Sequence, residues 1–452
     1  MRLSLIAVSA TVLLSQSALA LSLTDLKGEG RAVFMSPYGQ NELCVIAKKW
    51  PTGVYKKGDV EDENELCSFD FYTNVGICPK YNSTNPGVLL LKPNDKYSKQ
   101  AIDASDCNID RMDVKTEAKY KQSISCSYTP SILAYYHMSR IFGGAGRVPV
   151  TVLRTMDKRI HQQLTDKAVR HFGWSLEVIA RTWKDWAQAH RDPRSNPELF
   201  DSTYTQVYGA LSDNPKKEER YTDVSGKGSY ETRYSRFIAQ KPFQRVASSK
   251  SVYELLGSND FQKVAQTVLQ MKDVSDMVLM DTLLNQQDRI GNIHYKFVWY
   301  YYDPMNPTKL ERQKSDTEIK NDKVVTPPAE IAAMAGKRAV LTKEMLLKDN
   351  DCGVAKDNMM RKYSVLEKVR HMSYTTYYRF MAFEKTLTSP GAKDYFMSEM
   401  LFTAKNFATL QDNVAKAKSI LKTNCQNRKL RFDVDLESYL PGAPQMSQAC
   451  DI

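Results

Sequence analysis

Beyond Ala20 the chain has no run of about 18 to 20 uncharged apolar residues, the length a helix needs to cross a bilayer, so no later membrane anchor is expected. Internal repeats and low-complexity tracts are missing, which removes repeat architectures from consideration. No two of the eight cysteines stand at C-x-x-C spacing and the six histidines do not cluster with them, which argues against a structural zinc site. There is no G-x-S-x-G elbow, no H-E-x-x-H helix and no Cys-His signature, so hydrolytic chemistry has little to rest on. A glycine-rich phosphate loop is absent as well: Gly28-Glu-Gly30 is generic, and Asn82-Ser-Thr-Asn-Pro-Gly87 is a polar turn that could approach phosphate.

What is present begins with an arginine at position 2, an apolar run from Leu3 to Leu14 and the small-residue pattern Ala18-Leu19-Ala20. That is the plan of a secretory signal peptide over residues 1–20, with the mature chain starting near Leu21 and a periplasmic or secreted destination. All eight cysteines lie in the mature part, and an even count in an exported chain predicts disulfides, although eight cysteines allow about 105 pairings. The net charge of +11 would suit an anionic partner such as nucleotide phosphate. Its basic residues are interleaved with acids, as on a solvated surface, and nothing in them points to nucleic acid.

Residues 21–150 read as a sheet-rich part with one long helix. Arg31-Ala-Val-Phe34, Leu66-Cys-Ser-Phe-Asp-Phe-Tyr72 and Val88-Leu-Leu-Leu-Lys92 look like strands. Thr129-Pro130 opens a helix, with Thr129 as N-cap, and Gly143-Gly144 closes it. Arg147-Val-Pro-Val-Thr-Val-Leu-Arg154 reads as an edge strand. Residues 151–452 read as mainly helical, with helix-period apolar positions from Phe261 to Leu284 and polar surface stretches at Asp192–Lys227 and Asp303–Thr326. The fold class expected is α+β in two lobes.

Three places could carry chemistry. In Leu283-Leu-Asn-Gln-Gln-Asp288-Arg-Ile-Gly-Asn292 a helix ends in a polar loop with an acid and an amide four residues apart. Phosphoryl transfer uses such a pair, a carboxylate to orient the acceptor and an amide oxygen on a divalent cation, although the same residues also make an ordinary helix stop. In Met345-Leu-Leu-Lys-Asp349-Asn-Asp351-Cys-Gly353 a strand runs into two acids that could project into a cleft, or simply turn the chain. Lys92, ending Val88-Leu-Leu-Leu, could neutralise phosphate or merely end a strand. His294 and the aromatic run Trp299–Tyr302 read as structural. Strand-lysine, helix, Asp-to-Asn loop and strand-end Asp is the order in which kinase folds supply their parts.

At these residues the chain resembles the secretory-pathway atypical kinases typified by the Golgi casein kinase, and more distantly the toxin-type and phosphoinositide kinases. Val88–Lys92-Pro93 is similar to that family's strand-lysine-proline element, and Ala134–Ile141 followed by Arg147-Val-Pro149 to its helix and Arg-Val-Pro link. Asn285-Gln-Gln-Asp288-Arg289 resembles its Asn-x-x-Asp-Arg loop, and Leu347-Lys-Asp349-Asn350 its metal-binding element.

The resemblance implies a protein-kinase-like fold and transfer of the γ-phosphoryl group of ATP, with Mg²⁺ or Mn²⁺, to a hydroxyl acceptor, for which an envelope or secreted protein, a peptide, a lipid headgroup and a sugar all stand open. By it Lys92 contacts nucleotide phosphates, Asp288 is the catalytic base or acceptor-orienting carboxylate, Asn292 is a metal ligand and Asp349 the principal one. Asp351 competes with Asp349, because Asp351-Cys-Gly353 resembles the commoner Asp-Phe-Gly equally well. The acid-to-Asn spacing is shorter than is usual in that family, and no clear glutamate is placed to pair Lys92, with Glu117 only a distant substitute. The alternatives are an exported pseudokinase, a kinase-fold binding or scaffold protein, or a related ATP-dependent transfer.

Overall fold

The computed structural model describes residues 21–443 and Cys450, so the signal-peptide reading of residues 1–20 lies outside the described residues. Among the described residues there are thirteen strands: β1 Gly30–Met35, β2 Asn41–Ile46, β3 Gly76–Pro79, β4 Val88–Lys92, β5 Lys115–Gln122, β6 Thr151–Asp157, β7 Gln206–Asp213, β8 Glu219–Arg220, β9 His294–Asp303, β10 Asn306–Lys314, β11 Glu318–Lys320, β12 Lys323–Val325 and β13 Arg338–Leu346. Seven form one antiparallel sheet in the order β1-β2-β6-β7-β5-β4-β3. A second antiparallel sheet runs β10-β9-β13, with β8 beside β9, and β11 and β12 form a separate hairpin. The α+β arrangement expected from the sequence is the one the chain adopts.

The segment expected to be an edge strand supplies β6, which lies between β2 and β7 and is buried at every position. Burial at successive positions means that both faces are covered, so its apolar run reflects a central strand and not an edge. β7 was not expected at all, because it sits within the polar stretch Asp192–Lys227. Its Gly209 is needed for close approach: a Cβ there would stand 2.4 Å from the Lys121 carbonyl oxygen of β5. A division at residue 150 would separate β6 and β7 from the sheet whose middle they form.

Leu66–Tyr72 is not a strand. The helix Lys57–Leu66 ends there and the chain turns, held by a Cys44–Cys67 disulfide to β2, and the alternation of Phe69 and Phe71 serves to sink Phe71 into the core. The helix Thr129–Ile141 packs on β6 and β7 with all its residues buried. It begins one residue earlier than expected, with Tyr128 as N-cap and Pro130 in the first turn. Gly143 and Gly144, both at positive φ, end it.

The helix Phe261–Leu283 packs on β13 and against the helix Ala404–Gln426. Its N-cap Asp260 accepts from the Lys263 N–H, and its apolar positions are buried in one core cluster that also takes in the seven-stranded sheet. Four disulfides pair Cys44 with Cys67, Cys78 with Cys107, Cys126 with Cys352 and Cys425 with Cys450. They fit a chain that matures in an oxidising compartment. Among the described residues no helix is long and apolar enough to cross a membrane.

Candidate functional site

The long helix ends at Leu283 with Leu284 as its C-cap, and Asn285 turns the chain with a left-handed φ of 52°. An asparagine tolerates that conformation better than most side chains. Here its amide also donates to the Val354 carbonyl, 3.0 Å away, while the Gln287 N–H donates to the Cys352 carbonyl at 2.9 Å. Loop 285–293 is thereby laced to loop 347–354, which leaves β13. Gly353 sits where they meet: a Cβ there would come within 2.5 Å of Ser131 Oγ and 2.9 Å of the Leu284 carbonyl.

Arg289, fully buried, holds the two loops to the helix. Its Nε lies 2.9 Å from Asp281 Oδ2, its Nη1 donates to the Lys348 carbonyl at 2.8 Å, and its Nη2 to Asn350 Oδ1 at 2.6 Å. Tyr135 donates to Asp281 from the helix Thr129–Ile141 at 2.7 Å. Burial works against the guanidinium charge, but Asp281 and Tyr135 overcome it and hold Arg289 above its ordinary value. The arginine of the Asp-Arg pair is thus an internal strut, and the aspartate before it is left facing outward.

Asp288 is partly exposed. One carboxylate oxygen is paired with Arg233 of the helix Arg233–Ala239, and the other lies 3.3 Å from the Asn292 amide nitrogen, which also donates to the Asp288 carbonyl at 2.8 Å. Burial raises the Asp288 carboxyl above the usual aspartate value, Arg233 opposes the shift, and the charge of Asp351 adds to it. That last influence places Asp288 and Asp351 in one electrostatic neighbourhood.

The acids after β13 converge on one cation. Lys121 Nζ, at the end of β5, lies 2.8 Å from Asp351 Oδ2 and 3.2 Å from Asp349 Oδ1. Asp349 takes a left-handed φ of 54°, which turns it out of the strand direction. Burial alone would raise its carboxyl, but Lys121, Lys80, Lys348 and Lys119 hold it well below the usual carboxylate range. Burial, with Lys121 adding, pushes the Lys80 ammonium down to about 7. The polar turn before Gly87 reaches the same place, since the Asn85 amide lies 3.4 Å from Asp351 Oδ2.

Lys92 is not part of this cluster. In the β4–β5 ladder Val88 stands opposite Tyr120, the neighbour of Lys121, whereas Lys92 stands opposite Lys115. Four residues of strand, roughly 13 Å, separate the two ends, and Lys92 is exposed. The lysine that does meet the two acids, Lys121, was not singled out because it lies inside a strand; the alternation Lys119-Tyr120-Lys121 just before a helix is the signal that points to it. Glu117 pairs with Lys216 at 3.1 Å and not with the site lysine. Asp288 with Asn292, and Asp349 with Asp351, are brought together as two pairs.

A narrow cavity of about 40 Å³ is lined by Lys119, Lys121, Lys348, Asp349 and Asp351. It shares Val148, Pro149, Asp213 and Pro215 with a larger one of about 560 Å³ that opens between the two sheets. The larger volume falls in the range of small-molecule and cofactor sites. Among the described residues no three His, Cys, Asp or Glu side chains form a ready metal cage.

No family model and no curated protein matches the chain. Among solved structures it is similar to one described as the crystal structure of the golgi casein kinase, with a TM-score of 0.45 and 12% identity over 85% of this chain and 81% of that one.

Proposed function

We propose that this protein transfers the γ-phosphoryl group of a nucleoside triphosphate, ATP in the family the sequence resembles, to a hydroxyl acceptor outside the cytoplasm. The observation that carries the reading is the convergence of Asp349 and Asp351 on a single positive charge in a narrow cavity that adjoins a ligand-sized one, with Asp351 within electrostatic reach of Asp288. Hard oxygen donors focused on one cation suit Mg²⁺ or Mn²⁺. Such ions need only one or two carboxylates, because substrate phosphates supply other ligands, so the lack of a cage of three side chains does not count against it.

Asp349 and Asp351 would hold the metal, with Asn292 a further donor, and a bound divalent ion neutralises triphosphate charge. The chain's own work is positioning. Lys121, Lys119 and Lys80 supply positive charge to phosphate oxygens, Arg289 fixes the two acid-bearing loops, and Asp288 orients and accepts the proton of the attacking hydroxyl. Incubating the mature protein with triphosphate, Mn²⁺ and an extract of envelope or secreted proteins should yield products heavier by one phosphate in mass analysis. Products carrying a nucleotidyl group, or no products with any acceptor, would turn the reading away from phosphoryl transfer.

Specific binding must raise apparent stability. Triphosphate with Mn²⁺ is therefore expected to raise the melting temperature, and triphosphate with chelator to raise it much less. Asp349→Ala and Asp351→Ala should each remove most of the metal-dependent part. An unchanged metal increment in both variants would exclude these acids as ligands. The lysines give a separate check by calorimetry: Lys121→Met is expected to weaken triphosphate binding about tenfold or more, in line with the loss of a charge-assisted contact, and Lys92→Met to leave it unchanged.

One observation favours a second reading, a nucleotide-binding protein without transfer activity. The helix Thr129–Ile141 carries no carboxylate, so Lys121 spends its bonds on the two acids and has no helix partner to hold it on phosphate. Metal-dependent stabilisation without any phosphorylated product would select it.

A further inference from the structure

The helices Lys158–Phe172 and Val178–Arg191 pack against each other as a hairpin. Its root is locked, with His161 Nδ1 lying 2.7 Å from His190 Nε2 and Trp186 edge-on to the His161 ring. Its tip is bare: Trp174 is 97% exposed, Leu176 78% and Val178 56%. Tryptophan is on average a well-buried residue, so an indole left in water next to two more apolar side chains marks a contact surface. The loop is held in shape all the same. Gly173 turns the chain at a φ of 51°, its N–H donates to the Val169 carbonyl at 2.9 Å, and the Ser175 N–H donates to the Phe172 carbonyl at 3.0 Å. Arg181 Nε donates to the Leu176 carbonyl at 2.9 Å, and Lys184 Nζ to the Ser175 carbonyl at 3.2 Å. Two cations therefore brace the backbone while the apolar side chains stay outside.

Charge around this tip is sorted by depth. Arg170, His171 and Arg181 stand in the helical turns that flank the loop, the Lys184 ammonium reaches it, and Glu177 is the one acid on the loop or those turns. His171 spends its ring on Tyr81, stacked at 3.9 Å. The acids Asp166 and Asp185 lie nearly two turns back along the helices, about 9–10 Å. Asp103 and Asp106 keep company with Lys167, also behind the last turn. The outermost layer is thus apolar, the next cationic, and the acids come after.

That order matches the edge of a lipid bilayer, where acyl chains give way to phosphates and then to water. Tryptophan favours this boundary, because its ring is apolar and its N–H still reaches polar groups. A cleft in a rigid protein would have to set an acid opposite each of three cations, whereas fluid anionic lipids bring phosphates to wherever the cations stand. We propose that the hairpin tip docks on an anionic bilayer, with Trp174, Leu176 and Val178 in the interface and Arg170, Arg181 and Lys184 on lipid phosphates. The protein then lies on an envelope membrane without crossing it. This inference does not depend on the transfer reading, and the two fail separately.

Cosedimentation of the mature, disulfide-intact protein with vesicles of phosphatidylglycerol and phosphatidylcholine tests it. Binding is expected, about tenfold or more tighter than to phosphatidylcholine alone, because each cation near an anionic surface adds attraction. Lipids brominated in the acyl chains should quench fluorescence, since Trp50, Trp183 and Trp186 are buried and Trp299 half-buried, which leaves Trp174 to report. Trp174→Ser with Leu176→Ser should weaken binding about tenfold or more at an unchanged melting temperature, both side chains being exposed. No binding to the anionic vesicles, equal binding to both compositions, or full binding by the double variant would each overturn the proposal. A wild-type protein that dimerises in solution beside a monomeric double variant would overturn it too, and give the tip to a second copy of the chain.

Discussion

Asp288→Asn should lower the rate of phosphoryl transfer by about 10²–10⁴-fold, the range general-base groups contribute, while nucleotide affinity stays within about twofold. The substitution keeps the shape that Arg233 and Asn292 grip and removes the negative charge, and with it the capacity to take a proton. The pH profile carries the same claim. Burial raises the Asp288 carboxyl above its ordinary value, and the acid acts only when ionised, so kcat/KM should fall as pH drops through a value higher than that of a free aspartate. Removing Arg233, which opposes the shift, should move the acidic limb to still higher pH. Wild-type turnover in Asp288→Asn would take this residue out of the mechanism.

The second large effect is on stability. Arg289→Met leaves Asp281 buried without its partner, and breaking such a pair costs about 3–5 kcal/mol. It also frees the Lys348 carbonyl and Asn350, so unfolding by denaturant should show the loss together with weaker metal binding. The double variant Arg289→Met with Asp281→Leu should recover much of the stability, because no charge is then stranded, but not the metal affinity, because the loops stay unbraced. Full recovery of both would reduce Arg289 to a packing residue.

The two pairings in the candidate site were legible in the sequence because each lies within one short stretch: Asp288 and Asn292 share a helix exit, and Asp349 and Asp351 a strand exit. Local spacing is enough when the partners are neighbours in the chain. The lysine was not legible for the opposite reason. β4 and β5 both carry lysines, and only their antiparallel register decides which one meets Asp351; register is a property of pairing that a single strand does not display. The same holds for β7, whose Gly209 looks like a break until β5 is laid beside it. Leu66–Tyr72 misled because aromatic alternation is the same signal whether the residues sit in a ladder or in a turn tethered by a disulfide.

The sulfur bridge between Cys126 and Cys352 spans 226 residues of chain and joins the segment after β5 to the residue following Asp351. It makes the cation-bearing strand and the acid loop one covalent ring, so the two can part by no more than the few residues between each half-cystine and its charged neighbours allow. A reductant in the surroundings would open that ring and leave Lys121 and its two acids held together by charge and packing alone.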